Sequence, residues 1–302
     1  MKALDLFCGF GGLTSGFESA GFKVTGVDLF SSIGKTFEMN NKGKFIQADL
    51  SKELIDGNFD LIIGGPPCRP WSSVNLTKRG KIHDDYNLLS SYFKHIEYHL
   101  PKIFMMENVL PLAKDETFKR YVQKMKKFGY STMFQVVKYS DYGAATSRRR
   151  LILFGIRKGN ADVFFQELSK HKTSATTVKD VIWDLRKKKK LDLPNHDWPN
   201  LKTIAKYRKY YKTNKFGWYV LKWNEPSPSF GNITKTYILH PDSFNGHETR
   251  VISVREALLI MGFRKGFSFP ENISISAKYQ MIADSVSPVF SKIAAKVAKI
   301  QL

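Results

Sequence analysis

Cys68 follows two prolines in the run GGPPCRPWSS (64–73), in a chain that has one other cysteine. The apolar run FDLIIGG before it reads as a buried strand, so Cys68 falls on a stiff turn at a strand's carboxyl end. Open α/β sheets gather their ligands at that edge. A cysteine used for packing is a small buried hydrophobe and needs no such address. A second group of residues has a related position. DLFCGFGG (5–12) follows the first apolar run and opens a helical stretch. Glycines there let the backbone approach a ligand at a helix N-terminus. Thr14 stands where a dinucleotide fingerprint has its third glycine, which makes a nicotinamide site a weak match. Asp28 closes the second strand, where a carboxylate takes ribose hydroxyls, and Asp49 closes the third, placed to receive an adenine amino group. This set suits a nucleoside cofactor without a pyrophosphate, and S-adenosylmethionine fits. The alternative, a tight turn with helix-capping acids, stays open on these residues alone.

The elements that must position these residues alternate. KALDLF, FKVTGVD, KFIQAD, FDLIIGG and KIFMMENV read as strands, separated by amphipathic stretches such as GLTSGFESA and LLSSYFKHIEYHL. That order predicts a doubly wound, Rossmann-like α/β sheet, mostly parallel, with helices on both faces. STMFQVVKY and RRLILFGI follow with no long helix between them. They predict a hairpin and an antiparallel last strand. After about residue 165 the texture changes. Residues 171–250 hold 16 Lys+Arg against 7 Asp+Glu, and four of the five tryptophans. The expected division is a cofactor-binding catalytic domain at 1–165, a smaller irregular basic and aromatic domain at 166–250, and a hinge and return to the first domain at 251–302. RKKKK (186–190), taken alone, is a solvated loop.

The whole chain carries 48 Lys+Arg against 27 Asp+Glu, a net charge of +21, and this field attracts polyanions, nucleic acid first among them. A merely lysine-rich surface is the competing reading. With 42% hydrophobic residues there is enough for a core, and no apolar run is long enough to span a membrane. The start MKALDLF reads directly as a strand, and no signal peptide is expected. Two cysteines without metal-type spacing support neither a disulfide framework nor a structural zinc, so the expected setting is a reducing cytoplasm with free thiols and no metal.

DLFCGFGG, GGPPC, ENV (107–109) and SRRR (147–150), in this order, resemble the C5-cytosine DNA methyltransferases, and RVISVREALLIMGF and YQMIADSVSP fit that family's closing blocks. The resemblance implies transfer of a methyl group from S-adenosylmethionine to carbon 5 of a cytosine flipped out of duplex DNA. It makes Cys68 the nucleophile at carbon 6, Glu107 the acid against N3, and Arg148 and Arg150 the guanidinium groups for the base carbonyl, the phosphate and the developing charge. Asn108 would hold the backbone around Glu107. Cofactor contacts are implied at Phe7, Gly9, Gly11 and Gly12, at Asp28 and Leu29, at Asp49 and Leu50, at Pro67 and Leu89, and at Asp284 and Ser285. Cys8 is read as packing near the cofactor. Trp71 and Ser72 are expected in a loop that closes over DNA, and the 171–250 segment is expected to recognise the target. A monomer is expected, because one subunit can scan an asymmetric contact surface along the duplex, and the family implies a restriction endonuclease acting separately.

This chain departs from the family pattern at Arg69, where glutamine is usual, at Thr146, again in place of glutamine, and at Ala283–Asp284, in place of glycine–asparagine. Three other readings are a methyltransferase for cytosine in transfer RNA, a non-catalytic DNA-binding relative, and a nicotinamide oxidoreductase. The first differs from the main reading in substrate alone. The second conflicts with Cys68, Glu107, Arg148 and Arg150 all being present, and the third with Thr14.

Overall fold

The computed structural model describes residues 1–67, 71, 84–213 and 217–302. They fall into two compact units. One comprises Met1–Lys138, Arg149–Lys172 and Phe290–Leu302; the other comprises Tyr139–Arg148 and Thr173–Val289.

The first unit is built on seven strands: β1 Lys2–Leu6, β2 Lys23–Asp28, β3 Lys44–Gln47, β4 Leu61–Gly64, β5 Ile103–Asn108, β6 Ser131–Lys138 and β7 Arg149–Ile156. Their spatial order is β3-β2-β1-β4-β5-β7-β6. β1 to β5 are parallel. β7, the last strand of the chain, is antiparallel to both β5 and β6 and lies between them, which leaves β6 at the edge. Every residue of β4 and β5 is buried, which is why both read as unbroken apolar runs rather than as alternation.

The helices, in chain order, are α1 Gly12–Ser19, α2 Ser31–Asn40, α3 Leu88–His99, α4 Glu116–Lys127, α5 Ala161–Ser169, α6 Val178–Ile182, α7 Thr203–Lys206, α8 Arg208–Lys212, α9 Ile233–Thr236, α10 Val254–Met261, α11 Ile275–Asp284 and α12 Pro288–Ile300. From Phe290 onward α12 belongs to the first unit. There it crosses α1 so closely that a Cβ on Gly16 would overlap the Lys292 backbone nitrogen. Ser291 Oγ donates to the Leu13 carbonyl at 2.7 Å across the same contact.

The second unit differs in extent from the expected 166–250 segment, because it takes in Tyr139–Arg148 and runs on to Val289. Among its described residues, β pairing is limited to isolated bridges such as Val220↔Leu239 and Leu239↔Val251. Polar contacts organise its interior. Arg250 meets Glu256 through two 2.8 Å bonds, both side chains are buried, and Glu256 closes a capping box with Ser253 at the start of α10. Arg250 also lies over the Trp198 ring, at 4.3 Å from its centroid.

Candidate active site

In a parallel sheet the register decides which loops meet. Leu6 stands beside Val27 and Gly64, Asp28 beside Gln47, and Gly64 beside Met106. The glycine turn, Asp28, Asp49, the Gly65–Pro67 turn and Glu107–Asn108 therefore all emerge at the carboxyl edge of one sheet. The strand order reverses between β1 and β4, the position where doubly wound sheets open a crevice.

The turn after β1 is held in a rare conformation. Phe7, Gly9 and Gly11 have φ of 58°, 53° and 97°. Gly11 caps α1 in the left-handed region, where a glycine avoids the Cβ clash. Asp28 clasps this turn from the neighbouring strand: its carboxylate accepts from Gly9 N at 3.0 Å and from Leu29 N at 2.8 Å. Burial pushes the Asp28 pKa up against these bonds. Beneath the turn, Asp5 is fully buried. Thr14 donates to its Oδ2 at 2.6 Å, while Oδ1 is buried without a hydrogen-bond partner among the described residues. Burial raises the Asp5 pKa to about 7. Thr14, noted in the sequence for the glycine it displaces, thus has a specific structural partner.

The residues fit S-adenosylmethionine. A Cβ on Gly9 would meet nothing within 4 Å, so the turn before α1 faces open space. Asp28 and Asp49 supply acceptors for hydroxyl and amino groups, and Leu29 and Phe30 add exposed apolar surface beside Asp28. The Asp49 carboxylate is already engaged by Ser51, at 2.6 and 3.0 Å, and by Lys52 at 2.9 Å. Ser51 first, then Lys52, hold its pKa down to about 2. Leu50 and Leu89 are buried in the core, Leu89 in the first turn of α3, and Pro67 is half-buried. Asp284 and Ser285 belong to the second unit. There Asp284 is exposed and accepts from Gln280 at 2.8 Å, and Ser285 Oγ donates to the Val286 carbonyl.

Cys68, Arg69 and Ser72 lie outside the described residues. Pro66 before Cys68 and Trp71 after it are each held by a hydrogen bond. Asn108 Nδ2 donates to the Pro66 carbonyl at 3.0 Å, and its Oδ1 accepts from Val109 N at 2.8 Å. Asn108 thus ties the end of β5 to the proline turn, a broader task than holding the backbone at Glu107. Trp71, expected in a closing loop, is instead 8% exposed and packed in the core; its Nε1 donates to Asp115 Oδ2 at 2.9 Å. Asp115 also caps α4 through Phe118 N, and Tyr86, whose ring lies 5.5 Å from that of Trp71, reaches the same carboxylate. The indole and its hydrogen bond explain the difference, since a buried Trp with a satisfied N–H is an anchor.

Glu107 and Arg150 come together: Arg150 Nε donates to Glu107 Oε1 at 2.8 Å, with side chains 13% and 9% exposed. Glu107 faces Ile152 across the β5–β7 ladder, so Arg150 is the diagonal neighbour on the same face. Arg148, buried, directly precedes β7 and belongs to the second unit. Burial alternates through Arg148, Arg149 and Arg150 as buried, exposed and half-buried, the period of two expected of extended chain. Cys8 is buried, and burial pushes its thiol pKa well above the ordinary value, in keeping with packing. Nothing in the sequence singles out Ser227. Ser147 N donates to its carbonyl and Ser227 N to that of Ala145, both at 2.8 Å, which straps the stretch before the arginines to EPSPSF. Thr146 pairs with Ser227 in this strap and is fully buried. Among the described residues no cluster of three or more His, Cys, Asp or Glu side chains is arranged to hold a metal, and no helix is long and apolar enough to cross a membrane.

Comparison with known proteins agrees with this geometry. The model of the C-5 cytosine-specific DNA methylase family matches residues 1–299. The chain is 30% identical to the type II methyltransferase M.FnuDI of Fusobacterium nucleatum, over 98% of this chain and 93% of that one. It is also 30% identical to the type II methyltransferase M.NgoPII of Neisseria gonorrhoeae, covering 95% and 92%. Among solved structures, the Entamoeba histolytica methyltransferase EhMeth shares the fold with a TM-score of 0.77 at 16% identity, over 100% of this chain and 99% of that one. Its sequence, its sheet and its relatives agree: this chain belongs to the C-5 cytosine-specific DNA methylase family.

Proposed function

We propose that this DNA cytosine-5 methyltransferase acts through Cys68, with Glu107, Arg148 and Arg150 as its partners at the base. S-adenosylmethionine, when bound, supplies an electrophilic methyl group on a sulfonium. The turn Phe7–Gly12 with Asp28, Leu29, Asp49 and Leu50 would hold it, with Pro67, Leu89, Asp284 and Ser285 completing the set. The chain's own task is to make carbon 5 of cytosine nucleophilic. The Cys68 thiolate adds to carbon 6, and the ring electrons move toward N3. The Glu107 carboxyl meets that charge with a proton. Carbon 5 then takes the methyl group, N3 returns its proton to Glu107, the carbon 5 proton passes to solvent, and the carbon–sulfur bond breaks to release the thiolate. The base must first leave the duplex, at a cost of a few kcal/mol that protein contacts offset.

The observation that carries this reading is the pairing of Glu107 with Arg150 at the sheet edge where Asn108 fastens the Pro66 turn. That arrangement brings an acid, a guanidinium and the chain entering Cys68 to one place. The 166–250 segment is proposed as the target-recognition domain and 251–302 as the return. The enzyme is proposed to act in the cytoplasm, as a monomer on a short duplex sequence, as the protective half of a restriction–modification pair. M.FnuDI and M.NgoPII, both named type II methyltransferases, support the restriction–modification reading. The test is Cys68→Ser. Turnover is expected to vanish while duplex binding persists, and near-normal methyl transfer by this variant would exclude the covalent route. Bisulfite mapping of host DNA would give the target, and preference for transfer RNA in the same assay would redirect the substrate reading.

A further inference from the structure

Two basic stretches of the second unit are rivals for contact with nucleic acid. Arg186–Lys190 is hemmed in by acids. Asp180 and Asp184 precede it, Asp192 accepts from the Lys189 backbone at 2.7 Å, and Lys190 pairs with Asp197 at 3.3 Å. From Trp198 to Asn224, by contrast, the sequence carries seven Lys+Arg and no Asp or Glu. Four of these cations, Lys206, Arg208, Lys209 and Lys212, are exposed on the consecutive short helices α7 and α8.

The cations are mounted on rings. Tyr207 and Tyr210 stack with centroids 5.5 Å apart and planes 5° apart, and Trp218 packs edge-on against both, at 5.4 and 5.3 Å. The Lys206 amino group lies 5.4 Å from the Tyr207 centroid and that of Lys209 lies 5.6 Å from the Tyr210 centroid. The Arg208 guanidinium lies 4.6 Å from the centroid of Phe244. Such contacts hold a charged head against a rigid ring while leaving it hydrated. A cation already ordered loses less freedom when it meets an anion. Uncompensated charge and ordered heads are what a phosphate-tracking surface needs, since neutralising phosphates releases counterions.

Building on the proposed function, we infer that the ridge Lys206–Lys212 grips the phosphate backbone of duplex DNA and sets affinity rather than base preference. The test measures Kd of the full chain for a mixed-sequence DNA duplex across about 50 to 200 mM salt. K206A/K209A is expected to weaken binding and to flatten the slope of log Kd against log salt by about 2, near 0.9 for each lost phosphate contact. K206R/K209R is expected to keep the parental slope, and the single K212Q to lower it by about 0.9. K187A/K188A removes the same net charge from the acid-compensated run and is expected to change the slope by less than half as much. Melting temperatures check folding. Equal slope changes in the two double-alanine variants would reduce the effect to net charge and overturn the inference. So would an unchanged slope in K206A/K209A, or a change seen with duplex RNA and not with duplex DNA. Methyl transfer to genomic DNA by the parental protein, run in parallel, separates the two claims. No transfer overturns the proposed function, whereas transfer with an unchanged K206A/K209A slope overturns the ridge alone.

Discussion

At the scale of single residues, chemistry in this site depends on which atoms are held. Arg150 Nε fixes Glu107 Oε1 at 2.8 Å, and Oε2 points toward Gly65, where an added Cβ would stand 3.4 Å away. Glu107→Gln keeps the volume and the oxygen facing Arg150 but removes the transferable proton. It is expected to lower kcat by about 10²- to 10⁴-fold, the usual range for losing a general acid, with cofactor affinity retained. A kcat within a few-fold of the parental value would remove Glu107 from its assigned role. Asp5 gives a second, pH-dependent prediction. Burial, opposed by the Thr14 hydrogen bond and reinforced by Asp28, lifts its pKa from 3.8 to about 7. The folded protein therefore holds a proton that the unfolded chain releases. That contribution to stability is fully present below about 3.8 and is lost as pH rises toward 7. The difference corresponds to about 4 kcal/mol at most. Urea melts at pH 5 and pH 8 should show the parental protein losing more stability over this interval than Asp5→Asn. Parallel losses in the two proteins would contradict the assignment.

At the scale of elements, β4 and β5 could be read from the sequence because strands buried on both faces appear as apolar runs such as FDLIIGG. The hairpin of β6 and β7 was equally legible. The insertion of β7 between β5 and β6 was not, because chain order does not encode spatial order. That insertion makes Arg150 a diagonal neighbour of Glu107, so the two motifs were visible and their contact was not. The anchoring of Trp71 was not legible for a related reason: its partner Asp115 is 44 residues away. Gly16 shows the same limit. In the sequence it is an unfavourable helix residue, and its reason lies in α12, near the far end of the chain. Gly16→Ala should improve helix propensity and still cost about 1–3 kcal/mol, because the added Cβ would overlap Ser291 Oγ and the Lys292 nitrogen. Denaturant midpoints decide it, and a variant as stable as the parent would mean that α12 does not press on α1.

At the scale of the whole molecule, the charge of +21 and the basic, aromatic segment point to nucleic acid from composition alone. Two properties resisted a linear reading. The second unit includes Tyr139–Arg148, so the polypeptide enters it between β6 and β7 and Arg148 is part of it. The strap of Ala145 and Ser147 to Ser227 joins positions about 80 residues apart and leaves no periodicity to detect. The cofactor edge was more legible, because the glycine turn, Asp28 and Asp49 sit at strand ends that the apolar runs already marked.

The most direct measurement uses a DNA duplex carrying 5-fluorocytosine at the mapped target, incubated with the enzyme and S-adenosylmethionine. Fluorine at carbon 5 cannot leave as a proton, so release of the sulfur is blocked after methyl transfer. The account predicts a denaturation-resistant protein–DNA species whose digested peptide carries the methylated, fluorinated base on Cys68. Full methylation of the ordinary duplex, with no trapped species on the fluorinated one or with the adduct on another residue, would contradict it.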